Sequence, residues 1–145
     1  MIHTNEVRVL YCDTDAYGVV WHGAYIKWLE FGRVELSEML GLPLESLEKD
    51  GITFPVVDLN LRYKSPALFN ERIIIETKIG ELKNTSVKFE HTIKEKDTGK
   101  LHVVAHSTIV AIDKDGKLYR KLPDHIYGCY KKAICSNLIK QLEVN

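Results

Sequence analysis

Ala24-Tyr25-Ile26-Lys27-Trp28-Leu29-Glu30-Phe31-Gly32-Arg33-Val34-Glu35-Leu36-Ser37-Glu38-Met39-Leu40 spaces its apolar residues as a helix does, not as a strand does. Tyr25, Trp28, Leu29, Gly32, Leu36, Met39 and Leu40 fall on one stripe. Ile26, Phe31 and Val34 lie off that stripe, so the helix is apolar over more than half of its circumference. A helix of this kind has to be wrapped by other structure. Gly41 followed by Pro43 ends it: glycine takes a left-handed cap and proline cannot continue the helix.

The flanks say what does the wrapping. Residues 5–11 begin with apolar–polar alternation and read as a strand. Residues 44–50 suit a short helical turn. Beyond them, Val57, Leu59, Leu61 and Tyr63 alternate with Asp58, Asn60 and Arg62. Strand patterns recur over 72–79 and 86–93. Residues 101–112 are more apolar, which predicts a central strand or one covered on both faces. Lys83-Asn84, Asp97-Thr98-Gly99 and Asp115-Gly116 supply turns. An amphipathic helix with a tail is expected from Pro123 to about Leu142. One strand, a buried helix and then four strands is an α+β order, not βαβ alternation. An antiparallel sheet curled around the apolar helix accounts for both patterns.

The 145 residues suit a single domain, 1–145, large enough for one proper core. Lys and Arg number 20 against 20 Asp and Glu, so the global basic excess of a nucleic-acid binder is missing. The three cysteines, Cys12, Cys129 and Cys135, form neither a CxxC pair nor an even set, which fits a reducing cytosol better than a disulfide framework. The sequence carries no signal-peptide pattern and no apolar run long enough to span a bilayer. A soluble cytoplasmic protein is expected.

The segment from Tyr11 to Tyr25 is where chemistry concentrates. Asp13 and Asp15 follow a strand, Gly18 follows them, and the apolar helix opens next. A helix N-terminus presents unpaired N–H groups and a positive dipole end. Such groups stabilise the oxyanion formed when a thioester carbonyl is attacked. A nearby carboxylate can activate water or attack the carbonyl itself.

Asp13-Thr14-Asp15-Ala16-Tyr17-Gly18-Val19-Val20-Trp21-His22, with Tyr25, Trp28, Glu30 and Arg33 on the helix, resembles the 4-hydroxybenzoyl-CoA thioesterase family of hotdog proteins, and its YbgC-like branch above all. Leu61-Arg62-Tyr63-Lys64-Ser65-Pro66-Ala67 and Val110-Ala111-Ile112-Asp113 are similar to the same family, so the likeness spans nearly the whole chain. It implies a hotdog fold and an acyl-CoA thioesterase that uses no metal and no organic cofactor. Asp15 is then the catalytic carboxylate, as general base or as nucleophile. Backbone N–H groups near His22 and Gly23 polarise the carbonyl, and Gly18 turns the loop tightly beside the substrate. The resemblance also implies homodimers or homotetramers with active sites at subunit interfaces. Phe69-Asn70-Glu71 departs from the Gly-Asp-like turn common in the family, which bears on pantetheine or nucleotide contacts more than on the chemistry.

Several residues admit two readings. Asp13 either supports Asp15 or serves the turn. His22 offers its backbone N–H or its imidazole. Glu30 and Arg33 are spaced for a helix-surface pair, and Glu30 is also the backup carboxylate. Tyr63 and Lys64, or Lys117, Arg120 and Lys121, either grip CoA phosphates or form a solvated face. Trp21, Trp28, Phe54, Phe69 and Tyr63 either line an acyl slot or fill the core. His102 and His106 are read as sharing a strand face, with too few companions for a metal site. The functional alternatives are a non-catalytic binder of acyl-CoA or acyl carrier protein, and a hydratase or dehydratase using Asp15 with His22.

Overall fold

The computed structural model describes residues 1–144, with side chains described through Cys135. The elements run β1 (His3–Arg8), α1 (His22–Met39), α2 (Leu44–Lys49), β2 (Val56–Tyr63), β3 (Arg72–Leu82), β4 (Val87–Glu95), β5 (Leu101–Ile109) and α3 (Asp124–Val144). The strands form one antiparallel sheet in the order β1-β3-β4-β5-β2. With α1 laid on its inner face, this is the hotdog arrangement, α+β as the patterning predicts.

Local chemistry sets the element ends. At the C-terminus of α1, Gly41 takes φ +88° and the N–H groups of Gly41 and Leu42 bond Glu38 O and Ser37 O at 3.0 and 2.9 Å. That pair of bonds is a Schellman cap, which satisfies two of the orphan carbonyls of the helix end. Between β4 and β5, Glu95 accepts the N–H groups of Asp97 at 3.1 Å and Thr98 at 2.6 Å. Pro123 stands immediately before α3, its carbonyl accepting from Ile126 and Tyr127.

Packing divides into two apolar clusters. The first half of α1 places Tyr25, Trp28 and Leu29 against Ile73, Ile75 and Val103. The second half places Leu36 with Leu42, Phe89, Ile109, Ile126 and Tyr130. Between them lies a buried polar band: Arg33, Ser37, Thr77, His91 and Ser107. Its groups are paired, with Ser37 Oγ 3.0 Å from Tyr130 Oη and the His91 ring bonded to Thr77 and Ser107.

Four details differ from the sequence reading. Strand β1 ends at Arg8, not at residue 11, because Tyr11–Asp13 winds into a short 3-10 turn closed by the Asp13 carboxylate on the Leu10 N–H at 2.9 Å. Helix α1 begins at His22, two residues before Ala24, where the helical spacing starts. The sheet of this chain wraps α1 on one side only, where it meets β3 and β1, and Ile26, Phe31 and Met39 stay exposed. Strand β5 stops at Ile109 and lies next to the edge strand, with β4 at the centre; its Leu101 and Val104 are exposed.

His102 and His106 also part company. Strand β5 shifts register where Ile93 pairs with Val103 and Lys94 with Leu101, leaving His102 as the extra residue. A bulge of this kind re-aims the side chains around it. His102 is buried beside Val103, whereas His106 is partly exposed.

Candidate active site

The segment before α1 is a small hairpin. Thr14 bridges Val20, Asp15 N–H bonds Val19 O at 2.9 Å, and Gly18 N–H bonds Asp15 O at 3.0 Å. Gly18 sits at φ +78°, a conformation that costs a side-chain-bearing residue but not glycine. Trp21 N–H closes the base of the hairpin on Asp13 O at 2.9 Å, and Val20 N–H ties it to the neighbouring loop at Ala67 O, 2.9 Å away. Val19 also bridges Leu68.

These bonds divide the work of the two carboxylates. Asp13 faces the Leu10 N–H, so its observed contact is the turn-holding one. Asp15 is exposed at the hairpin tip and accepts the Tyr17 N–H on Oδ1 at 2.8 Å. Its Oδ2 has no hydrogen-bond partner among the described residues.

Helix α1 has Trp21 as N-cap without a side-chain cap bond. The amides of His22 and Gly23 therefore stand in the first turn, where no intrahelical acceptor exists. A Cβ on Gly23 would lie 2.1 Å from the Trp21 ring, so glycine is what lets the indole fold over the helix start. A pocket of about 350 Å³ opens beside this end, lined by Val20, His22, Tyr25, Tyr63, Lys64, Ser65 and Pro66. It gathers three of the residues singled out in the sequence: His22, Tyr63 and Lys64.

Other candidates stay outside that wall. Asp13, Asp15, Gly18, Gly23 and Glu30 do not line the pocket, nor do Lys117, Arg120 and Lys121. Glu30 is an exposed partner of Arg33, whose guanidinium is 3.8 Å away. Arg33 itself is buried, and burial pulls its pKa down against the charge of Glu30, which raises it. Trp28 is core, whereas Trp21 and Phe69 are substantially exposed. A larger concavity of about 580 Å³ lies along the sheet and includes Arg62, Lys78, Lys88 and Glu90; it holds none of the sequence-predicted site residues.

Tyr25 links the hairpin to the pocket. Its hydroxyl accepts the Ala67 N–H at 3.0 Å, and its ring lies against Trp28 and Tyr63. Burial raises the phenol pKa; the Ala67 hydrogen bond opposes this, and the charges of Glu71, Tyr63 and Asp15 add to it. Asp15 is thus within electrostatic reach of the pocket wall.

Sequence reasoning missed a second polar group beneath the pocket. His102 Nε2 lies 2.9 Å from Glu71 Oε2, and Nδ1 lies 2.9 Å from Ser65 Oγ and 3.1 Å from Ser65 O. Asn70, in the turn that departs from the family pattern, takes φ +68°, a left-handed conformation asparagine tolerates. Ser65-Pro66-Ala67 and the Asn70-Glu71 turn were visible as motif and departure, but their convergence on one histidine was not.

Residues 9–129 match the thioesterase-like superfamily. The chain is 30% identical over 126 residues to the acyl-CoA thioester hydrolase YbgC of Escherichia coli, covering 87% of this chain and 93% of that one. It is 31% identical over 136 residues to YneP of Bacillus subtilis, a proposed acyl-CoA thioesterase, covering 91% and 97%. The solved DHNA-CoA thioesterase of Staphylococcus aureus superposes with a TM-score of 0.85 at 26% identity, covering 99% of this chain and 95% of that one. With the antiparallel sheet, the helix on its inner face and a match across most of its length, this chain belongs to the thioesterase-like superfamily of hotdog proteins.

Proposed function

We propose that this chain, as one domain over residues 1–145, hydrolyses acyl-CoA thioesters to a free carboxylic acid and CoA. The observation that carries the reading is the coupling of the Asp15 hairpin to the start of α1, in a chain whose relatives include acyl-CoA thioester hydrolases. One Asp15 carboxylate oxygen has no hydrogen-bond partner among the described residues, and the helix start beside it offers the His22 and Gly23 amides as oxyanion donors. Two routes fit. Asp15 takes a proton from water as the water attacks the carbonyl, the oxyanion collapses, and the CoA thiolate leaves. Alternatively, a carboxylate oxygen attacks, the thiolate leaves, and water hydrolyses the resulting mixed anhydride.

Tyr63 and Lys64 at the pocket are the candidates for holding CoA, and neither route calls for a metal or cofactor. A thioester on acyl carrier protein presents the same pantetheine arm and is the second substrate class. We also infer a homodimer or homotetramer with the site completed at a subunit interface, since the pocket is open and Tyr63 beside it is exposed. Three free cysteines fit a reducing cytoplasm, and no helix among the described residues is long and apolar enough to cross a membrane.

Asp15→Asn tests the assignment in a thiol-release assay with short, long and aromatic acyl-CoAs. Turnover is expected to fall by about 10²-fold or more, with substrate binding little changed. Near-normal turnover would overturn the role of Asp15.

A further inference from the structure

We infer that His102 is a positioning residue, a buried imidazole that staples both ends of the loop on which the Asp15 hairpin rests. The loop runs from Ser65 to Glu71. At one end the His102 ring meets Ser65 Oγ at 2.9 Å and Ser65 O at 3.1 Å. At the other it meets Glu71 Oε2 at 2.9 Å. The His102 carbonyl adds a bond from Lys64 N–H at 2.8 Å. Backbone and ring of one residue thus hold the pocket wall.

Hydrogen-bond roles separate this group from a nucleophile–base pair. Ser65 Oγ lies 2.7 Å from Leu101 O, a carbonyl that only accepts, so the hydroxyl proton is directed there. Ser65 Oγ and Ser65 O then both accept from Nδ1–H, while Nε2 faces the Glu71 carboxyl group. Nδ1, the nitrogen that faces Ser65, therefore has no lone pair to take a proton from it, so the array holds the chain in place and does not activate the hydroxyl.

The consequence passes to the reacting carboxylate through the loop's interior. Ala67 gives its N–H to Tyr25 Oη at 3.0 Å and its carbonyl to Val20 N–H at 2.9 Å. Leu68 bridges Val19, whose carbonyl accepts from Asp15 N–H. Asp15 therefore stands at the end of a hydrogen-bonded chain that begins at His102. Misplacing a reacting group by about 1 Å costs on the order of 10²-fold in rate. His102 is 1% exposed, so water is a poor substitute for the lost staple.

The inference rests on the reading of Asp15 above for its kinetic consequence only. The test compares the wild type with His102→Gln, which keeps a polar side chain but does not bridge both ends, and with Glu71→Gln, a milder change at a partly exposed site. Amide hydrogen exchange is followed at Asp15 and Val20, with Phe89 and Ile93 in β4 as internal references. Exchange at Asp15 and Val20 is expected to rise by about tenfold or more in both variants, the β4 amides staying within about twofold. The kcat for acyl-CoA is expected to fall by about tenfold or more, with KM within about threefold. In an Asp15→Asn background, adding His102→Gln should lower the residual rate little further, because the staple acts through Asp15.

Unchanged exchange at Asp15 and Val20, or equal acceleration everywhere, would overturn the positioning role. Equal rate losses in both backgrounds would overturn it too. If Asp15→Asn alone is harmless while exchange at the hairpin still rises, the reading of Asp15 fails and the staple stands. Should His102→Gln not fold, Glu71→Gln carries both measurements.

Discussion

His91 is the residue whose protonation costs the fold most plainly. It is 1% exposed in the polar band that divides the core, with Nδ1 3.2 Å from Thr77 Oγ1 and Nε2 3.0 Å from Ser107 Oγ. Burial pushes its pKa down to about 4, and the charges of Arg33 on α1 and His106 on β5 push the same way. The unfolded chain, with an ordinary pKa near 6.5, takes up a proton before the folded chain does. Stability is therefore whole above pH 6.5 and falls as the pH drops toward 4, by about 1.4 kcal/mol per unit and at most about 3 kcal/mol in all. Urea midpoints at pH 7, 5.5 and 4.5 should show the wild type losing stability relative to His91→Gln across that window. Equal pH dependence in the two proteins would rule out His91 as the source.

At the scale of the element, α1 is defined by where it lacks side chains as much as by where it has them. Gly32 falls on the apolar stripe because the helix crosses β3 there: a Cβ would lie 2.3 Å from Thr77 Oγ1 and 3.2 Å from Ile75 Cγ2. The Thr77 hydroxyl is held by His91 and does not swing away freely. Gly32→Ala gains about 1 kcal/mol of helix propensity but overpacks the crossing by about 1–3 kcal/mol or more. Overpacking should win. A lower melting temperature is expected, and an unchanged or higher one would mean that α1 shifts without cost. The stripe, the Gly41 cap and the turns joining β3 to β4 and β4 to β5 were legible because each depends on local spacing. The bulge at His102 was not, since one extra residue against β4 leaves no local mark in β5. For the same reason the candidate site was half legible. The Asp-Thr-Asp hairpin and helix start are contiguous in sequence, whereas Ser65, Glu71 and His102 meet only through long-range strand pairing.

At the scale of the whole molecule, the chain leaves one end of its inner sheet face bare. Helix α1 covers β3 and β1, while β2 forms the opposite edge. Leu59, Leu61 and Tyr63 pair with Ser107, Ala105 and Val103, whose side chains are buried, yet Leu59 is 39% and Tyr63 55% exposed. Alternation in β2 announced a face to be covered, and this chain alone covers only the part at Leu61. An edge strand with open backbone groups and apolar neighbours is an invitation to pair. The exposed Ile26 and Phe31 on α1 add further uncovered apolar surface. The oligomer proposed above answers that arrangement if β2 meets β2 of a second copy, which would continue the sheet and cover its bare inner face. A stable dimer needs about 800 Å² buried on each partner, more than a single strand edge offers, so the inner face has to take part. Leu59→Lys places a charge at the middle of that patch without touching the His102 staple or the Asp15 hairpin. Light scattering is expected to find the wild type as a dimer or tetramer and Leu59→Lys as a smaller species. Thioesterase activity should fall with dissociation, since the pocket at Tyr63 borders the same strand. A variant that keeps the wild-type mass would place the interface elsewhere, and a monomeric wild type would remove the need for a partner at the site.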